Sequence, residues 1–175
     1  MAEIRVRAVN GHEAQTLTDL QAQLAFLERQ GLGLEQWPIE RLNVEASKAA
    51  ANEQSYILDT FSPELERLKA DKGYKTADVV ALYPTTPNLD AMLAKFDKEH
   101  WHDDDEVRFV VAGRGIFTIH SQKDDAVFDV EVGPGDLLIV PQGTWHWFDL
   151  CEDKTIKCIR LFRDAAAWVP HYVQS

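Results

Sequence analysis

Apolar residues in the N-terminal third of the chain recur at helical spacing. Leucines three or four residues apart mark a first helix, with a Thr–Gln pair in the form of a capping box before it and glycines after it. A second helix is predicted from Ser62-Pro63-Glu64 to Gly73, and a third from Thr86-Pro87. The residues defining the first and third helices are Leu17, Thr18, Leu20, Gln21, Leu24, Leu27, Gly31, Gly33, Leu89, Met92, Leu93 and Phe96.

From about residue 100 onward, the pattern takes the two-residue period of β-strands. Two strands are also expected earlier, at 4–9 and 76–83. Gly113-Arg114-Gly115 is interpreted as the turn of a hairpin between strands 107–112 and 116–119. Further short strands follow without intervening helices, which indicates an antiparallel sandwich or barrel. They are expected at 127–132, 137–140, 145–150 and 155–162.

The length predicts one mainly β domain covering residues 1–175. Within it, residues 1–99 are expected to be mainly helical, and residues 100–163 to form the β core. The net charge of −11, without any basic segment, argues against nucleic acid and anionic membranes as partners. No apolar run approaches the ~18 residues of a membrane span. With two cysteines expected to be reduced and no signal-peptide pattern, we expect a cytoplasmic protein.

The segment His100-Trp101-His102 carries the clearest chemical signal. Side chains two positions apart diverge on a helix but share one face of a strand, and Glu106 has the same parity. Imidazoles combined with a carboxylate suit a divalent transition metal. The alternative is a set of surface histidines in a solvated acidic turn. A further histidine, His146, follows an apolar strand and a turn, which favours the metal site.

Two stretches resemble the motifs of a known protein superfamily. Residues 100–113 have the form His-x-His-x3-Glu-x6-Gly, which resembles the first cupin motif, and residues 135–146 resemble the second. The chain departs from the general motifs at Ala94, where a glycine is usual, and at Leu150, where an asparagine is usual. Both departures fit the acireductone dioxygenase family. The stretches that look like this family are 74–78, 96–100, 104–109, 113–117, 146–149 and 159–162.

The resemblance implies a cupin jelly-roll β-barrel with an N-terminal helical region packed against it. It also implies one Fe²⁺ or Ni²⁺ ion per chain. The expected metal ligands are His100, His102, Glu106 and His146. The implied substrate is 1,2-dihydroxy-3-keto-5-methylthiopentene, an intermediate of methionine salvage that is cleaved with O₂. The iron form would yield formate and 4-methylthio-2-oxobutanoate. The nickel form would yield formate, carbon monoxide and 3-methylthiopropanoate.

The substrate would bind as a dianion, which requires a nearby fixed cation. Arg108 shares the parity of Glu106, so we expect it to face the cavity and to be catalytic. Arg160 is a second candidate cation. Phe96, Phe148 and Trp168 match family positions that line the substrate pocket.

The remaining polar residues of interest are expected to be solvated. They are His12, His120, His171 and the turn Asp103-Asp104-Asp105, of which one aspartate could orient a ligand histidine. Two alternatives stay open, namely another metal-dependent cupin enzyme (an oxidase or a sugar isomerase) and a non-catalytic cupin binding module. A monomer is expected.

Overall fold

The computed structural model describes residues 2–174, apart from the side chain of Ala165. Twelve strands lie within these described residues. They are β1 (Glu3–Val6), β2 (Gln15–Leu17), β3 (Gly33–Gln36), β4 (Thr76–Leu82), β5 (His100–Trp101), β6 (Glu106–Gly113), β7 (Gly115–His120), β8 (Val127–Val132), β9 (Asp136–Val140), β10 (Trp145–Leu150), β11 (Ile156–Phe162) and β12 (His171–Tyr172).

Five α-helices fall within residues 20–93, and their ends refine the predicted caps. They are α1 (Leu20–Gln30), α2 (Val44–Ala49), α3 (Glu53–Thr60), α4 (Ser62–Lys72) and α5 (Leu89–Leu93). The capping box predicted at Thr18 and Gln21 is wrong, because Asp19 caps α1 by accepting a hydrogen bond from the Ala22 amide at 2.9 Å. None of the described helices has the length and apolarity needed to span a bilayer.

The strands form two antiparallel sheets. The seven-stranded sheet has the order β12-β5-β10-β7-β8-β1-β2, and the five-stranded sheet has the order β3-β9-β6-β11-β4. Along β8, β9, β10 and β11 the chain moves to the other sheet at each step, as in a jelly roll. This arrangement confirms the predicted mainly β fold of the cupin type. The first 99 residues contribute β1, β2, β3 and β4 to these sheets in addition to the helices.

The hairpin predicted around Gly113-Arg114-Gly115 is wrong. Strand β6 pairs with β9 and β11 in the five-stranded sheet, whereas β7 pairs with β8 and β10 in the other sheet. The two glycines therefore carry the chain from one sheet to the other. Gly113 has φ +75°, and a Cβ there would lie 2.1 Å from the carbonyl oxygen of Thr155, so no other residue fits this crossing.

The alternation of side chains along β6 and β11 decides what faces the interior. Residues such as Phe109 and Ile159 point outward and are covered by α3 and α4 in one hydrophobic core. The intervening positions, among them Val110 and Ile156, face the second core between the two sheets. Because β-strand side chains alternate, Arg108 on β6 points to the same inner side as Val110. Helices α3 and α4 thus cover one sheet from outside and leave its inner face to the site described below.

Candidate metal centre

Three imidazoles and one carboxylate meet at the inner face of the sheets. His100 lies on β5 directly opposite His146 on β10, His102 follows β5, and Glu106 is the first residue of β6. One potential ligand atom from each of the four residues lies within 4.8 Å of the others. All four side chains are buried, between 1% and 4% exposed. The structure therefore brings together the whole predicted ligand set.

Backbone carbonyls fix the direction of two of the imidazole rings. The Nδ1 of His100 lies 2.6 Å from the Lys98 oxygen, and the Nδ1 of His146 lies 2.8 Å from the Thr144 oxygen. A carbonyl oxygen can only accept, so each Nδ1 carries the proton and each Nε2 is left as the electron-pair donor. These bonds select the tautomer in which Nε2 can bind a metal.

The surroundings of His100 and Glu106 favour the protonation states in which these two groups bind metals. Burial and the neighbouring His146 lower the pKa of His100 to about 4, so its imidazole is neutral at pH 7. Burial alone would raise the pKa of Glu106. The Arg108 guanidinium, together with the adjacent His102 and His146, outweighs burial and holds this pKa well below the usual range of a glutamate. Neutral imidazole and ionised carboxylate are the ligand forms.

The donor set fits one divalent transition metal. The Nε2 atoms of His102 and His146 lie 3.2 Å and 2.8 Å from the same Glu106 oxygen, Oε2, so these three atoms surround one point. Nitrogen and carboxylate donors suit iron, nickel, cobalt or zinc better than calcium or magnesium. These four residues would leave an octahedral ion two positions for a substrate.

Arg108 connects the candidate ligands to a cavity. Its Nε donates to the other oxygen of Glu106, Oε1, at 2.9 Å. Burial would lower the pKa of Arg108, but Glu106 and Cys158 outweigh burial and raise it, so the guanidinium stays charged. Glu106 thereby faces the histidines with one oxygen and Arg108 with the other.

An apolar cavity opens beside this arginine. Phe96 forms part of its wall and also lies against the histidine cluster, with its ring centroid 5.8 Å from that of His100. Trp168 lies behind the cavity, where its ring packs against His102 and its centroid lies 5.3 Å from the Arg108 guanidinium carbon. The residues lining the cavity are Val80, Leu82, Met92, Leu93, Phe96, Arg108, Phe148, Ile156 and Arg160.

Comparison with known proteins identifies the family. Residues 15–170 match the model of the ARD/ARD' family. The chain belongs to the ARD/ARD' family. An acireductone dioxygenase from Bacillus velezensis is 44% identical over 98% of this chain and 96% of its own length. An acireductone dioxygenase from Bacillus subtilis is 42% identical over 98% of this chain and 96% of its own length.

A solved structure of this family has the same fold. It is an acireductone dioxygenase from Bacillus anthracis with a cadmium ion in its active centre. It is 40% identical in sequence, with a TM-score of 0.90 over 98% of each chain. The resemblance inferred from the two cupin motifs is thus confirmed, and the chain is a member of a family of metal-dependent dioxygenases.

In the ARD/ARD' chain, the solvated turn predicted at Asp103-Asp104-Asp105 is confirmed at Asp103, which is exposed, but is wrong at Asp104 and Asp105. Asp104 is only 3% exposed, and its carboxylate accepts hydrogen bonds from the Arg163 and Asp164 amides at 2.8 Å and 3.2 Å. Asp105 accepts hydrogen bonds from the Tyr74 hydroxyl and the Gln142 amide. Hydrogen bonds therefore connect the turn between His102 and Glu106 to the loop before His146 and to the segment that carries Trp168.

We expect Asp104→Ala to destabilise the protein by about 2–3 kcal/mol, because two partly buried amide hydrogen bonds and the Arg163 guanidinium lose a charged acceptor. For a chain of this size the melting temperature would fall by roughly 5–10 °C. Thermal unfolding monitored by circular dichroism measures this change. Asp103→Ala is the matched control, since the Asp103 carboxylate is 57% exposed and pairs with exposed His171. Equal, small shifts in both variants would contradict the role of Asp104.

Two of the histidines predicted to be solvated also have specific contacts. His120 is partly buried, and its two ring nitrogens lie 3.0 Å from Glu99 and 2.6 Å from Asp125. His171 stacks on Trp101 with ring centroids 4.3 Å apart. Neither belongs to the cluster around Glu106. His12 lies near the surface against the Asp124 carbonyl oxygen.

Sequence analysis missed several residues around the cavity. Val80 and Leu82 lie on β4 and Ile156 on β11, and all three line the apolar wall. Asp78 was also missed; it holds Arg160 through two hydrogen bonds of 2.8 Å and 2.6 Å. The pattern of β4 predicts a strand, but its partner β11 lies about 80 residues away along the chain, so nothing local connects β4 with the site.

Proposed function

We propose that this chain is an acireductone dioxygenase of methionine salvage that cleaves 1,2-dihydroxy-3-keto-5-methylthiopentene with O₂. His100, His102, Glu106 and His146 would hold one divalent metal ion. The observation that carries this proposal is the placement of a buried three-imidazole, one-carboxylate cluster next to a cavity with a cation and an apolar wall. The acireductone dioxygenases among the relatives support it.

The bound metal would supply Lewis-acid positions at which the oxygens of the enediolate are held and polarised. The residues of the chain would do the rest. Arg108 lies within hydrogen-bonding distance of Glu106, so its positive charge stands immediately beside the cluster, where it balances the substrate dianion. Phe96 and Phe148 would cover the methylthio tail and exclude water from the reacting oxygens.

Arg160 and Trp168 would complete the pocket. Arg160 reaches the cavity, but two hydrogen bonds hold its guanidinium on the Asp78 carboxylate. Arg108 makes a single hydrogen bond to Glu106, whose other oxygen faces the histidines. We therefore assign the substrate charge mainly to Arg108. Trp168 would act by holding His102 and both arginines in place, since its ring lies against all three.

The identity of the metal is proposed to decide the products. The same three imidazoles and one carboxylate are offered to iron and to nickel, so a difference in outcome must come from the ion. We expect apo-protein reloaded with Fe²⁺ to yield formate and 4-methylthio-2-oxobutanoate. Reloading with Ni²⁺ is expected to yield formate, carbon monoxide and 3-methylthiopropanoate. Gas chromatography of carbon monoxide from the two forms tests this, and equal yields would refute the division.

Oxygen uptake with synthetic acireductone tests the proposal against its alternatives. A sugar isomerase would convert its substrate without consuming oxygen, and a binding module would turn over nothing. The apolar wall of the cavity disfavours a sugar, which requires more hydrogen-bonding side chains. Absence of oxygen uptake by the metal-loaded protein would remove the proposed activity.

We also propose that the protein acts as a cytoplasmic monomer with a small-molecule substrate and O₂ as its partners. Cys151 and Cys158 are both free and buried, which agrees with a reducing compartment. Sedimentation analysis of the metal-loaded protein would determine the oligomeric state.

A further inference from the structure

Cys158 stands out among the groups that the proposed function leaves unused. It lies on β11, is fully buried, and is a free thiol. Its sulfur lies 3.5 Å from Nη1 of Arg108, although 50 residues separate the two in the chain. Arg108 is the cation on which the proposed chemistry most depends, so a side chain in contact with its guanidinium can affect how it meets the substrate.

The guanidinium of Arg108 is held at two of its three nitrogens. Nε donates to Glu106, and Nη1 donates to Cys158. The rings of Phe148 and Trp168 lie against the guanidinium, with centroids 5.5 Å and 5.3 Å from its central carbon. Within residues 2–174, Nη2 is the nitrogen of this group that has no hydrogen-bond acceptor in the protein.

The contrast with Arg160 indicates why a sulfur is useful here. Arg160 lies directly opposite Arg108 on the neighbouring strand, and both of its engaged nitrogens face the Asp78 carboxylate. A second carboxylate at position 158 would match the charge of Arg108 in the same way. The Cys158 sulfur orients the guanidinium through a weak hydrogen bond without placing a second carboxylate on it.

We propose that Cys158 is a positioning residue for Arg108. Its sulfur sets the rotation of the guanidinium so that Nη2 faces the cavity, where the enediolate oxygens bind. This inference rests on the proposed function for the identity of the ligand, but the orientation of the arginine can be tested without it.

Three variants separate hydrogen bonding from packing. Cys158→Ala removes the acceptor and some volume, Cys158→Val removes the acceptor and keeps the volume, and Cys158→Ser keeps an acceptor. Cys151→Ala is the matched control, because Cys151 is the other buried thiol and contacts Glu131 outside the cavity. Each variant is loaded with metal, and its metal content and melting temperature are measured.

The first readout is substrate binding without turnover. We expect the dissociation constant of acireductone, measured anaerobically by absorbance, to rise about tenfold in Cys158→Ala and Cys158→Val, as for loss of one hydrogen bond to a charged group. KM should rise similarly with kcat nearly unchanged. Cys158→Ser should restore most of the affinity, and Cys151→Ala should match the wild type.

The second readout is nitrogen NMR of the arginine side chains in zinc-loaded protein, in which the ion is diamagnetic. A guanidinium fixed at two nitrogens gives separate Nη1 and Nη2 signals. We expect separate signals for Arg108 in the wild type and Cys158→Ser, and averaged signals in Cys158→Ala and Cys158→Val.

The measurements test the role of Cys158 separately from the proposed function. If Cys158→Val binds acireductone normally and keeps separate Arg108 signals, the residue only fills space and the proposal is overturned. If wild-type protein consumes no oxygen with acireductone, the proposed function fails. The NMR comparison would still decide whether Cys158 orients Arg108.

Discussion

Replacing His146 with alanine is expected to strip the protein of most of its metal and of its oxygenase activity while leaving the fold in place. His146 supplies one of four converging donor atoms, and its Nε2 lies 2.8 Å from Glu106 Oε2. Loss of a hydrogen bond between a metal ligand and its neighbouring group lowers metal affinity roughly ten- to a hundredfold. Loss of the ligand itself should therefore lower metal affinity on the order of a hundredfold or more.

The measurement is metal content by elemental analysis after reloading with Fe²⁺ or Ni²⁺ and gel filtration. His12→Ala is the matched control, since His12 is not part of the cluster and its Nε2 lies 3.2 Å from the Asp124 carbonyl oxygen near the surface. Circular dichroism and thermal unfolding check that the His146→Ala variant keeps the overall fold. A full equivalent of metal in this variant would remove His146 from the ligand set.

The ligand cluster could be predicted because its geometry is almost entirely local. His100, His102 and Glu106 lie within seven residues, so they cannot be far apart, and strand parity predicts one shared side. The structure reaches the same cluster by another route, since β5 ends at Trp101 and Glu106 begins β6 in the other sheet after a turn. His146 is indicated by the turn that precedes it. The structure adds that His100 and His146 are direct partners on neighbouring strands, which brings the two motifs together.

The groups that hold this cluster could not be predicted, because their partners are distant in the chain. Aspartate is rarely buried, so three consecutive aspartates predict a solvated turn. Asp104 is buried because it accepts hydrogen bonds from the Arg163 and Asp164 amides, about 60 residues away. Nothing near Asp104 in the sequence indicates those donors.

The hairpin at Gly113-Arg114-Gly115 was predicted wrongly for the same reason, because the contacts that decide the structure there are distant in the chain. Two β-rich runs separated by glycines fit either a hairpin or a crossing between sheets, and the local pattern is alike in both. The choice depends on which strands offer free edges. Strand β6 is paired on both sides by β9 and β11, so β7 is placed in the other sheet.

Replacing Arg108 with methionine is expected to lower kcat/KM by about a hundredfold or more, which is typical for removal of one preorganised charge contact in an active site. Methionine keeps much of the apolar stem between Phe148 and Trp168, so the cavity wall should persist. The measurement is oxygen uptake with acireductone at saturating metal, together with the anaerobic dissociation constant of the substrate.

The contact with Glu106 adds a second expectation for the Arg108→Met variant. Arg108 is the main group that holds the pKa of Glu106 down against burial, so its removal raises that pKa and weakens the affinity for metal. The Arg108→Met variant should therefore need a higher metal concentration to fill its metal site. Its turnover of acireductone should stay low even when the site is fully occupied. Arg7→Met serves as control, because Arg7 is exposed and pairs with Asp129 on the outer surface. Normal turnover in fully loaded Arg108→Met would show that the substrate charge is balanced elsewhere, with Arg160 as the remaining cation of the cavity.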